Sequence, residues 1–102
     1  MSASESTGVH AIVESPRVAV TVRSSAWRYL KAEMNPEDDV LVLVLSENGW
    51  IAGVLPRKFP GTPNKVLTAR LEQYTVLFPQ PEQVKNLDGR TLEFADNVLS
   101  VV

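Results

Sequence analysis

The residues of this chain that could do chemistry are few and scattered. Its single histidine, His10, lies in a Ser- and Glu-rich N-terminal stretch with no nucleophile or second ligand beside it in sequence. Histidine can shuttle a proton or bind a metal, but one alone has no partner, and a solvated tail residue is expected. The chain has no cysteine, so it offers no thiolate nucleophile, no disulfide and no thiolate metal site. A Ser or Thr nucleophile needs a base beside it, and no Gly-x-Ser-x-Gly occurs. The five glycines are too dispersed to cradle a phosphate. Glu37-Asp38-Asp39 places three carboxylates in a row. Calcium loops, however, alternate their ligands and fix a glycine and a distant glutamate, so this run reads as a solvated acidic turn. No catalytic, cofactor-binding or metal-binding residue emerges, and binding is expected rather than catalysis.

The residue types that remain are those of protein interfaces. Trp50 follows Asn48-Gly49, and Pro56 to Lys65 carries three prolines, one glycine and the cations Arg57, Lys58 and Lys65. Tryptophan with neighbouring arginine dominates interface hot spots, and loops carry binding more often than regular elements do. Trp50, Arg57, Lys58 and Lys65 are therefore the candidate partner-binding residues, with a protein as partner. Two other readings of Trp50 stand beside this one: a plain core residue, or the wall of a small-ligand pocket in a ligand-binding domain or accessory enzyme. The net charge of −2 and the pI near 5.3 argue against a nucleic-acid partner, since phosphate binding rests on a basic excess. No segment approaches the ~20 apolar residues of a membrane span. Met1 to Gly8 lacks the basic start and apolar core of a secretory signal. A cytoplasmic protein without a membrane partner is expected, and self-association is left open.

These side chains must be positioned by elements that the pattern also predicts. Residues 1–10 read as a flexible leader and 11–102 as one domain. Arg17 to Arg23 alternates three valines with Arg, Ala and Thr, the mark of a half-buried strand. Ser24-Ser25 offers an N-cap, and Trp27, Leu30 and Met34 at i, i+3 and i+7 mark the inner face of a helix from Ser25 to Met34. Asn35 can take the left-handed cap, and Pro36 prevents continuation. Val40 to Leu45 is apolar on both faces, as in a central strand. Ser46-Glu47-Asn48-Gly49, with its Asn-Gly hairpin signal, turns it into a second strand, Trp50 to Leu55. Val66 to Tyr74 fits helical and strand periods alike and is read as a backward extension of the strand Thr75–Phe78. Pro81 opens a short helix with Val84 and Leu87 inward and Gly89 as its stop. Arg90–Ala95 and Val98–Val102 are strands joined at Asp96-Asn97.

The run Tyr74-Thr75-Val76-Leu77-Phe78-Pro79, followed by Leu87-Asp88-Gly89-Arg90-Thr91-Leu92-Glu93-Phe94, resembles the HesB family, the A-type iron–sulfur carriers related to IscA. Members have an apolar strand, a short segment ending in Leu-Asp-Gly and a further strand. Val18-Ala19-Val20-Thr21 before a helix resembles the family's opening, and the strand ending near Gly49 resembles the one leading into its Gly-Cys-Ser-Gly loop. The likeness extends loosely over residues 17 to 102. It departs where the family keeps its chemistry. Trp50 stands where the first cysteine should follow glycine, Gly53 comes one residue late, and no Cys-Gly-Cys occurs up to Val102. The resemblance thus implies a HesB-like scaffold in a degenerate, cysteine-free member that has lost cluster binding and serves as an adaptor. No ligand residue carries over. The expected fold is compact α+β: a mixed or antiparallel sheet with one main helix and one short helix.

Overall fold

Val18, Val20 and Val22 are all buried, so the alternating segment before the helix is a strand with one face in the core. In the computed structural model, which describes residues 7–14, 17–57 and 66–102, it is the second of eight strands among the described residues. They are β1 Gly8–Glu14, β2 Arg17–Val22, β3 Asp39–Ser46, β4 Gly49–Pro56, β5 Leu67–Leu71, β6 Tyr74–Phe78, β7 Thr91–Ala95 and β8 Val98–Val101. One α-helix, α1 (Ser24–Glu33), follows β2, and a 3-10 helix, Pro81–Leu87, joins β6 to β7. The fold is compact α+β and mostly strand, with a Cα radius of gyration of 12.7 Å.

The strands form two sheets rather than the single sheet anticipated. One has the order β1-β2-β7-β8 and the other β4-β3-β6-β5. Each joins two antiparallel hairpins through a central parallel pair, β2 with β7 and β3 with β6. Alternation tells which face of a strand is buried but not which strand lies beside it, and that is where the single-sheet expectation fails. The inner faces meet in one core, in which Ile12, Val20 and Leu92 face Leu41, Leu43 and Leu71 around a void of only about 10 Å³. At the edges β4 lies beside β8 and β1 beside β5 without a hydrogen-bonded ladder between them.

Three expectations need correction. Gly8 to His10 are not leader but the first half of β1, paired with Val20 to Val22 of β2. The stretch before Thr75 is not one long strand but the hairpin β5–β6, broken where Glu72 takes φ +55°. The ends of α1 also differ. Trp27, Leu30 and Met34 are buried as their spacing predicts, but the N-cap residue is Arg23 and no side chain caps it. Ser24 N–H donates instead to Thr7 Oγ1 at 3.1 Å. Asn35 does not take a left-handed conformation; its Oδ1 accepts the N–H groups of Glu37 and Asp38 at 2.8 and 3.3 Å, which holds the acidic turn.

The other turns follow their residues. Gly49 takes φ +116° at the β3–β4 hairpin, with Ser46 opposite it. Asp96 and Asn97 both have positive φ, +53° and +64°, which suits a two-residue hairpin between β7 and β8.

Candidate functional site

The residues expected to bind a partner are not brought together. Trp50 is the second residue of β4 and Arg57 follows its last residue, so the two lie about 23 Å apart along the strand. The Trp50 ring is half-buried and packs on the core from the inner face of β4. Its Nε1 is buried without a hydrogen-bond partner among the described residues, as is that of Trp27. Arg57 is held by its own fold: Nε donates to Glu37 O at 2.8 Å, and Nη2 to Pro36 O and to Thr75 Oγ1, both at 3.1 Å. Its guanidinium pins the acidic turn to β6. Lys58 and Lys65 lie outside the described residues.

The other sequence candidates are framework. Glu37, Asp38, Pro56 and Arg57 line a recess of about 280 Å³, and Asp39 Oδ2 accepts the Asn35 N–H at 2.9 Å. No group of three or more metal-ligating side chains converges among the described residues. His10 is not a solvated tail residue. Its ring meets Trp27 edge-on at 5.1 Å and 77°, and its Nδ1 lies 3.8 Å from Glu72 Oε1. Trp27 in turn stacks on Tyr74. Burial raises the Tyr74 phenol above its ordinary 10.0, against the opposing effects of the Lys31 charge and a hydrogen bond with Gln73.

A different surface gathers binding chemistry. The helical period puts Ser25, Arg28, Tyr29, Ala32 and Glu33 along one side of α1, with Tyr29 and Phe94 resting on the rim of the core. Strand β7 runs beside α1, fastened by Arg23 N–H to Leu92 O at 2.9 Å and by Phe94 N–H to Ser25 Oγ at 3.2 Å. These bonds bring Phe94 against Tyr29, ring centroids 4.4 Å apart and planes within 16°. The six residues line an open groove of about 460 Å³. Ser25, Tyr29 and Phe94 are half-buried, whereas Arg28, Ala32 and Glu33 are exposed. The side chains of Arg28 and Glu33 make no hydrogen bond or ion pair among the described residues. The arrangement offers an aromatic platform, one unpaired cation and one unpaired anion. Among the described residues it holds no nucleophile with an adjacent base.

Sequence reasoning missed this site. Phe94 was read only as an alternating strand residue, and Tyr29 was overshadowed by Trp27 and Leu30. The available signal was the second stripe on α1, an aromatic and an alanine amid charges on the face that should be wholly polar. No family model matches the chain, and no curated protein or solved structure shows significant similarity to it.

Proposed function

We propose that the protein is a noncatalytic binding domain, an adaptor that engages a protein partner through the groove between α1 and β7. The observation that carries this reading is the Tyr29–Phe94 stack, left half-exposed beside Arg28, whose side chain has no partner among the described residues. Tyr and Arg are the side chains in which binding energy concentrates, and a half-exposed aromatic stack can still bury apolar area against a partner. Trp50 and Arg57 belong to the framework of this reading: one packs on the core, and the donors of the other are committed to backbone carbonyls and Thr75.

The reading extends to the HesB-like scaffold, a cysteine-free relative of the A-type carriers working in the cytoplasm. Its support is the Leu87-Asp88-Gly89 run, whose three residues each have a physical task. Leu87 is buried, Asp88 Oδ1 accepts the Ala19 N–H at 2.9 Å, and Gly89, at φ +81°, donates its N–H to Ala19 O at 2.8 Å. These contacts serve the fold whether or not a cluster is bound. With no thiolate to hold iron, anaerobic reconstitution with iron and sulfide should leave the protein colourless. A stoichiometric cluster would refute the cluster-free part of the reading. For the groove, tagged protein is used to capture partners at near-physiological salt. Partners held by the wild type should be lost by the folded Arg28→Glu and Tyr29→Ala variants and kept by Arg57→Ala. The opposite pattern would move the docking surface to the Arg57 end.

A further inference from the structure

Resting on that reading, we infer that the groove takes a peptide segment of the partner in a fixed direction. A large apolar or aromatic side chain lies on the Tyr29–Phe94 stack, with an acidic side chain beside it on Arg28. The groove is polarised along the helix. Arg23 stands at the N-cap of α1 and Arg28 in its second turn, both exposed, and the first turn contains no acidic residue. The N-terminal peptide dipoles add further positive potential at the Arg23 end. At the other end stands Glu33, about 7.5 Å further along the axis by helical rise, followed by Glu37 and Asp38 beyond the helix. Neither Arg28 nor Glu33 is neutralised among the described residues. Lys31 also lies in the last turn but does not line the groove, so within the groove a carboxylate is drawn to Arg28 and away from Glu33.

The same geometry selects the class of ligand. Sites for small molecules enclose most of the ligand's surface, and this groove is open along the outside of a helix. Strand β7 lies between β2 and β8 in its sheet, so a partner cannot extend the ladder there and must be read by its side chains. Arg28 presents a planar fork of donors that a carboxylate can meet with two hydrogen bonds. The apolar side chain must be adjacent, because Arg28, Tyr29 and Phe94 line the same groove.

The test uses random peptides displayed on phage and panned against the full folded chain. Enriched sequences should pair an acidic residue with a neighbouring aromatic or large aliphatic residue. A synthetic peptide of that sequence should bind Arg28→Glu about tenfold more weakly than wild type. A peptide with lysine in place of the acid should regain binding to Arg28→Glu, which a merely structural role for Arg28 would not produce. Arg70→Glu, an exposed charge on β5, should leave binding unchanged. Enriched peptides without an acid, or peptides that bind Arg28→Glu as well as wild type, would overturn this assignment while leaving the adaptor reading to its capture experiment. Failure of any peptide to enrich would overturn it as well. If the capture experiment also found no partner dependent on Tyr29, the docking groove itself would fall.

Discussion

Gln83 is the residue whose role is least visible in its surroundings along the chain. Its Oε1 accepts the Leu45 N–H and its Nε2 donates to Leu45 O, both at 2.9 Å, so a side-chain amide extends the edge of β3 where β6 no longer does. Asp88 and Gly89 do the same for Ala19 on β2. Removing such a partner leaves backbone groups unpaired. Gln83→Ala should destabilise by about 1–3 kcal/mol and Asp88→Ala, which is exposed, by about 1 kcal/mol, read as shifts in the urea midpoint at unchanged slope. Tyr74 supplies a prediction in pH. Its phenol is raised by burial, so the unfolded chain ionises first, near the ordinary 10.0, while the folded chain keeps its proton. Stability is therefore whole below that pH and is lost as pH rises through the raised value. Thermal melts above pH 10 should fall more steeply for the wild type than for Tyr74→Phe, and equal slopes would disprove the linkage.

At the scale of elements, α1 works on two faces. Inward, Ala26, Trp27 and Leu30 are buried to 1% exposure or less. Outward, Tyr29 and Ala32 line the groove. The helix lacks a side-chain cap and carries no acid in its first turn, so local features contribute little to it and packing must hold it in place. Leu30→Ala should therefore cost about 2–5 kcal/mol. It should also weaken partner capture, because the helix positions Arg28 and Tyr29. A change in melting that corresponds to less than roughly 0.5 kcal/mol would mean that the inner face bears little load.

Over the whole molecule, the first and last hairpins share one sheet and the two middle hairpins share the other. The core runs through both sheets without a break. Trp27 touches His10 of β1 and Tyr74 of β6, one residue from each sheet. Neither sheet can then lose its partner and keep its inner face dry. Tryptophan fluorescence and far-UV circular dichroism should report coincident urea transitions. Two separated transitions would show that the sheets unfold independently. Among the described residues no helix is long and apolar enough to cross a membrane.

The local pattern alone determined the valine strand β2, the buried stripe Trp27–Leu30–Met34, the turn from Ser46 to Gly49 and the short helix opened by Pro81. Each of these follows from backbone preferences and from burial that repeats over a few residues. Only the tertiary structure decided the rest. It assigned the hairpins to two sheets, placed His10 against Trp27, tied Arg57 to the acidic turn and laid Phe94 on Tyr29. The physical reason is separation along the chain. Gln83 meets Leu45 across 38 positions, and Asp88 meets Ala19, like Phe94 meeting Ser25, across 69. A period of two or 3.6 residues tells which side of an element faces inward. It does not tell which distant element arrives there, and the groove exists only because β7 arrives beside α1.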